Sequence, residues 1–246
     1  MPDLQEDRHS CLSGETEDNM SNAQTISFRR RHLPHWMVAD HSFFVTIRLK
    51  GSLPSSVAEH LRRERDALTS RRCSNEEMEK LRREQFKRME AILDSTQQGP
   101  KFLHIAPVAD IVFRAFEWLQ EKKGWQVHAA TIMPNHLHIL LRHPGGQNNQ
   151  LNRDLGILKG FTAREANKYL DRVGKPFWMG ENFDHWCRND AKVIGAARYI
   201  AMNPVNAGLV EDWKDWPWTR VCQAFLPDIN ESKSTITGRP GSGRNA

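Results

Sequence analysis

The chain holds only four cysteines, Cys11, Cys73, Cys187 and Cys222, and no two share a CxxC spacing. A zinc knuckle or a disulfide framework is therefore not indicated, and a reducing cytoplasm is the simplest compartment. No apolar run approaches the roughly 20 residues that a bilayer span needs. The first residues are acidic where an export signal would be basic and then apolar, so a soluble, unexported protein is expected. There is no internal repeat, and tyrosine is scarce, with only Tyr169 and Tyr199.

What is present is a mild excess of positive charge: +5 over 246 residues, with a pI near 9.1. That biases the chain toward a polyanion such as nucleic acid without deciding the matter. The hydrophobic content, 39%, is lowered by polar ends. Residues 1–25 are acidic and aperiodic and read as a disordered tail. Residues 226–246 read as a flexible tail with Gly, Ser and Arg, leaving a folded unit over 26–225.

Within that unit, Arg29, Arg30 and Arg31 form a basic cluster before a β-branched and aromatic strand, His41–Leu49. The cluster suits either a solvated face or a phosphate contact. Residues 55–93 are rich in Arg, Glu, Leu and Met, break near 70–75, and read as a salt-bridged, solvent-exposed helical insertion. Val108, Ile111, Val112, Ala115, Phe116 and Leu119 fall at helical spacing, and Gly124 suits the cap. Strands follow at 125–133 and 136–142, joined by the tight turn Pro134-Asn135, which makes a hairpin. A helix is expected over 151–169, and a last one over 191–202, stopped by Asn203-Pro204. Alternating strands and helices around a hairpin indicate an α+β domain, an antiparallel sheet flanked by helices.

His136 and His138 lie two apart on a strand and project from one face, where they interrupt the apolar alternation. Two adjacent imidazoles can share one divalent cation, although a His-x-His pair alone is also compatible with two separately bonded core histidines. Tyr199 and Asn203 are four apart on the last helix and share a face, so a phenol and a carboxamide can be offered together. Spacing alone favours a tyrosine packed at the surface at a helix end, beside an Asn-Pro stop.

Taken together, Met133-Pro-Asn-His-Leu-His138, Phe177-Trp178, Phe183-Asp-His-Trp-Cys-Arg188, Tyr199-Ile-Ala-Met-Asn-Pro-Val-Asn-Ala-Gly-Leu-Val210 and Trp213-Lys-Asp-Trp-Pro-Trp218 resemble the REP-associated tyrosine transposases. These are relatives of insertion-sequence transposases in the His-hydrophobe-His single-strand nuclease superfamily, and the resemblance runs from about Arg29 to Trp218. It implies a ferredoxin-like (RRM-like) core and a divalent cation, Mg²⁺ or Mn²⁺, held by His136 and His138 with Asn203. It also implies Tyr199 as the nucleophile that cleaves single-stranded DNA, through a 5′-phosphotyrosine, at palindromic hairpin repeats. A non-cleaving repeat-DNA binder or repressor on the same fold is the alternative.

No small-molecule cofactor is expected, and monomer and homodimer both remain open. Asp184, His185 and Arg188 are candidates for orienting a metal ligand or holding phosphate, or for an ion pair that ties down a loop. Lys159, Arg164 and Lys168 recur near helical spacing and suit either a DNA backbone or a solvated face. Trp213, Trp216 and Trp218 suit base stacking less well than the sealing of a core.

Overall fold

A computed structural model describes residues 25–30, 34–38, 41–71, 74–95, 99–143 and 150–226. The two expected tails fall outside the described residues, apart from Thr25 and Leu226, as does Arg31. A two-stranded antiparallel hairpin, β1 (Thr25–Arg30) and β2 (Pro34–Val38), lies beside the main sheet. Arg29 and Arg30 sit at its turn end.

The main sheet is built from β3 (Ser42–Arg48), β4 (Gln126–Ile132), β5 (His136–Arg142), β6 (Phe183–Trp186) and β7 (Thr219–Val221). Their spatial order is β6-β3-β5-β4-β7, and every neighbouring pair is antiparallel. With α3 (Ala106–Lys123) between β3 and β4, and α4 (Leu151–Tyr169) between β5 and β6, the first four strands have the ferredoxin-like order. β7 extends the sheet at its β4 edge.

Strand alternation sorts the side chains into two layers. Phe43, Val45 and Ile47 of β3, with Leu137, Ile139 and Leu141 of β5, pack against α3 and α4 in the larger core. Phe44 and Leu140 point the other way, into a smaller core under α5 (Asp190–Asn206). α3 ends where expected: Gly124 adopts φ 71°, a left-handed cap conformation that a side chain would strain. Two indole N–H groups fasten the α4 layer, Trp125 Nε1 donating to Asp154 Oδ2 at 2.9 Å and Trp178 Nε1 to Thr162 Oγ1 at 2.9 Å. Trp213 and Trp216 are buried, and Trp216 Nε1 donates to the Ile132 carbonyl, so these tryptophans seal the core.

Two expectations need correction. The last helix does not stop at Asn203-Pro204 but runs to Asn206 with Pro204 inside it. Asn203 and Pro204 are both buried in the packed layer, and the carbonyls at the helix end find partners, Ala207 N–H donating to Asn203 O and Leu209 N–H to Pro204 O. Tertiary burial here outweighs the local penalty of one proline in a final turn.

The 55–93 stretch forms α1 (Ser55–Ser70) and α2 (Asn75–Ser95), and it is only partly a solvated insertion. Arg63–Glu59 and Arg88–Glu64 are exposed ion pairs, as expected. The second half of α2, however, presents Met89, Glu90 and Leu93 as buried residues against the α5 side of the sheet.

Candidate active site

His136 and His138 lie on β5 and are fully buried, on the face opposite the larger core. Their Nε2 atoms approach to 3.0 Å. Each ring is oriented from behind. Asn135 Nδ2 donates to the Leu93 carbonyl, which leaves Asn135 Oδ1 to accept from His136 Nδ1 at 2.7 Å. The His136 Nε2 lone pair is therefore the one that points inward. His138 Nδ1 pairs with Thr46 Oγ1 at 2.9 Å, the residue directly across the strand pair.

α2 supplies a third group that the sequence pattern did not single out. Glu90 Oε2 stands 3.0 Å from His138 Nε2 and accepts a 2.5 Å hydrogen bond from the Tyr199 hydroxyl. Glu90, His136 and His138 form a buried set whose potential ligand atoms all lie within 4.8 Å of one another. Asp94, one turn further along α2, places Oδ1 at 3.8 Å from His136 Nε2. Since burial, followed by the neighbouring His138, lowers His136 to about 3, that imidazole is neutral and the approach is not an ion pair.

The electrostatics are those of oxygen and nitrogen donors crowded together. Burial by itself would raise the Glu90 carboxyl, but the two imidazoles and the Tyr199 hydroxyl hold it below its ordinary value. Asp94 is pushed up to about 6 by burial and by the adjacent Glu90 charge. The Tyr199 phenol is raised above its ordinary value for the same two reasons, in the same order. Three buried oxygens, Glu90 Oε1, Asp94 Oδ1 and Asn203 Oδ1, have no hydrogen-bond partner. Such orphaned acceptors beside two inward-facing imidazole nitrogens are costly as they stand and are what a divalent cation satisfies. The donor set of two imidazoles, carboxylates and an amide oxygen thus fits a metal ion.

Tyr199 is brought to this cluster by α5. Its ring centroid lies 5.4 Å from that of His138, edge-on, and Phe44 and Phe86 pack alongside. Asn203 lies one turn on, close enough to Asp94 and Tyr199 for its amide to counter part of the rise in each. The expected quartet of His136, His138, Tyr199 and Asn203 is therefore gathered in one place, with Glu90 and Asp94 added.

The other candidates are distributed differently. His185 is separated from the histidine pair by the Phe44 ring, which lies 5.1 Å from His185 on one side and 5.3 Å from His138 on the other. Arg188 is hydrogen-bonded to Glu79, and Arg82 Nη2 donates to the Asp184 carbonyl, so this segment clamps α2 to β6 and thereby seats Glu90. Lys159 directs its Nζ to Met179 O, Gly180 O and Asn182 Oδ1, which spends all three protons within the protein. Burial lowers it to about 8. Arg164 and Lys168 are exposed on α4, on the sheet face opposite Tyr199. The side chains of Arg29 and Arg30 lie outside the described part of the structure.

A signal for Glu90 and Asp94 was present in the sequence. Phe86, Met89 and Leu93 make an apolar stripe on α2, and Glu90 and Asp94 fall at the stripe's own i+4 and i+8 positions counted from Phe86. Carboxylates on the buried side of a helix need a partner.

No family model matches the chain. It is 29% identical over 112 residues to a protein of Haemophilus influenzae named as a candidate REP-associated tyrosine transposase, covering 43% of this chain and 64% of that one. It is 26% identical over 101 residues to the REP-associated tyrosine transposase of Escherichia coli K12, covering 41% of this chain and 57% of that one. The chain thus spans under two thirds of the length of these relatives. A solved structure of a REP-associated tyrosine transposase bound to a REP hairpin aligns over 89% of this chain and 94% of that chain, at 14% identity and a TM-score of 0.48. By sequence, the chain is similar to REP-associated tyrosine transposases over 41–43% of its length.

Proposed function

We propose that the protein is a metal-dependent single-strand DNA endonuclease and strand transferase that uses Tyr199 as nucleophile. The observation that carries this reading is the placement of the Tyr199 hydroxyl, 2.5 Å from a carboxylate that itself lies 3.0 Å from His138. A phenol packed at a helix end for structural reasons alone would not need a buried carboxylate between it and two imidazoles.

His136, His138 and Glu90 would hold a divalent cation, with the unpartnered Asn203 Oδ1 completing the donor set. When bound, Mg²⁺ or Mn²⁺ supplies Lewis acidity toward a non-bridging phosphate oxygen. The imidazoles favour Mn²⁺ at least as much as Mg²⁺, which prefers oxygen shells.

The chain's own residues handle the proton. The phenol is protonated as it stands, because burial and Glu90 both raise it. Glu90 Oε2, already accepting its hydrogen bond, takes the proton as Tyr199 Oη attacks phosphorus. The Oη–P bond forms as the P–O3′ bond breaks, and the departing O3′ takes the proton that Glu90 received from Tyr199, becoming a free hydroxyl. The product is a 5′-phosphotyrosine, which keeps the phosphodiester bond energy and can be rejoined by another 3′-hydroxyl. Hairpin-forming repeats are the proposed substrate, in line with the relatives' name.

Incubation with 5′- or 3′-labelled single-stranded hairpin DNA and Mn²⁺, followed by denaturing electrophoresis, tests the reading. The expected result is a protein–DNA adduct on the 5′ end of the cleaved strand, absent in Tyr199→Phe. Tight binding with no adduct would make the protein a repeat binder, and cleavage by Tyr199→Phe would make water the nucleophile.

A further inference from the structure

The exposed side of α4 has a composition that neither the fold nor the Tyr199 site requires. Its exposed residues are Arg153, Gly156, Ile157, Gly160, Phe161, Arg164, Lys168 and Tyr169: cations, large apolar or aromatic groups and glycines, with no carboxylate among them. Of the helix's two acids, Asp154 is buried on Trp125, while Glu165 is 35% exposed and pairs with Arg164 Nε at 3.2 Å. Phe161 and Tyr169 are 46% and 54% exposed, too open to be serving the core. The Arg164 guanidinium lies over the Phe161 ring at 5.7 Å.

Beyond Tyr169 the chain turns back along the helix and adds a groove of about 400 Å³, its floor mainly apolar with Ala163 and Val173, and edged by Arg164, Lys168 and Lys175. Asn167 Nδ2 donates to the Lys175 carbonyl and so fixes the groove wall. Asp171 is the exposed acid in this turn. Gly156 and Gly160 sit one turn apart beside Ile157 and Phe161, and a methyl group at either would meet nothing within 4 Å. Each glycine costs the helix up to about 1 kcal/mol relative to alanine, and no contact within the chain explains that cost. They leave the helix backbone open to close approach from outside.

We propose that this face is a docking track for an unpaired segment of the DNA, with Phe161 as a base-stacking platform and Lys168, Lys175 and Arg164 holding phosphates. The inference rests on the reading of the protein as acting on DNA. Charge complementarity selects the occupant: a surface where Arg153, Arg164, Lys168 and Lys175 outnumber the acids Glu165 and Asp171, interleaved with exposed aromatics, is what single strands bind, since every base offers a π-face and every link a negative charge. α4 lies on the sheet face opposite Tyr199, so the track holds a different stretch of DNA from the one being cut. Unpaired flanks of a hairpin have the chemistry to fill it.

Fluorescence anisotropy with the full chain and three labelled probes tests this: dT12, a hairpin with a 12-nucleotide single-stranded extension, and the same hairpin blunt-ended. The variants are Phe161→Ala and the pair Lys168→Gln/Lys175→Gln, all exposed positions outside the Tyr199 site, with thermal melts to confirm folding. Phe161→Ala is expected to weaken dT12 and the extended hairpin about 5-fold to 100-fold, the range of one lost stack. The double variant is expected to lower the slope of log K against log salt by about 1.4, at about 0.7 for each lost single-strand phosphate contact. The blunt hairpin should change by less than the extended one.

Equal affinities for parent and variants on dT12, or no dT12 binding by the parent at low salt, would overturn the proposal. So would a change in sedimentation of Phe161→Ala with unchanged dT12 binding, which would make the face a contact between copies of this chain. The Tyr199 adduct assay separates this result from the catalytic reading. α4-dependent binding without an adduct sinks only the nuclease, whereas adduct formation with α4 variants that bind like the parent sinks only the track.

Discussion

Acidification in the presence of a chelator should unfold this protein through identifiable histidines. Burial, with the neighbouring His138, lowers His136 to about 3, and burial, with Arg142, lowers His128 to about 4. An unfolded histidine titrates near 6.5, so between pH 6.5 and 4 the unfolded chain takes up protons that the native protein refuses. Stability from both groups is therefore full above about pH 6.5 and drains as the pH falls. At about 1.4 kcal/mol for each pH unit, each histidine removes about 3 kcal/mol by pH 4.

Asp94 acts in the opposite direction. Its native carboxyl, raised to about 6, takes a proton before the unfolded one does near 3.8, offsetting at most about 3 kcal/mol, and less because its side chain is 27% exposed. His185, which burial and then Arg82 lower to about 4, adds about 3 kcal/mol to the loss, so the net is about 6 to 7 kcal/mol, a large share of the roughly 5–15 kcal/mol that holds a typical domain folded.

Urea unfolding followed by tryptophan fluorescence at pH 7, 5.5 and 4 measures the loss. His128→Phe isolates one component, because His128 meets Phe225 edge-on at 5.5 Å, its Nδ1 has no partner, and it lies outside the proposed ligand set. The variant should lose about 3 kcal/mol less than the parent between pH 7 and 4. An acid loss identical in the two proteins would refute the assignment.

Mn²⁺ at about 100 times its dissociation constant should add about 2.7 kcal/mol to the unfolding free energy of the parent, and nothing comparable to His138→Ala; an equal gain in both would place the ion elsewhere. Leu93→Ala should cost about 2–5 kcal/mol and also blunt the Mn²⁺ response, since Leu93 is fully buried and its carbonyl holds the amide that orients His136. Isothermal titration beside a urea melt would show whether the two losses travel together. Thr162→Val leaves the buried Trp178 indole N–H without its acceptor and should cost about 1–3 kcal/mol by urea melt, with no change in Mn²⁺ affinity.

The parts of the fold that were legible in the sequence are those where one local signal decides the outcome. The Pro134-Asn135 turn, the period-two run after it and the helical spacing from Val108 to Leu119 all appear as the elements they indicate. His136 and His138 stood out because polar residues broke an apolar alternation, and the structure places both on the face that the alternation requires. Pro204 misled because a rule about the preceding residue is local, whereas the end of α5 is decided by what buries Asn203 and Pro204. Lys159 fits a basic helical repeat in sequence, yet its acceptors come from 20 residues away in a loop with no recognisable signature.

Glu90 was hidden for a more general reason. Ion pairs on a solvated helix and a carboxylate aimed at a metal site use the same residue types, and α2 carries both within 21 residues. What separates them is register against the apolar stripe: Glu79 faces solvent and arginines, whereas Glu90 falls between Phe86, Met89 and Leu93 and is 5% exposed. A charge at such a position is expensive unless something distant receives it, and the receiver, His138, is 48 residues further along the chain. Placed beside the two histidines, the same anomaly becomes informative. Two elements each carry polar groups on their buried faces at a cost, and the cost is recovered only if those faces meet, so paired violations of amphipathic pattern in separate elements point to a shared site.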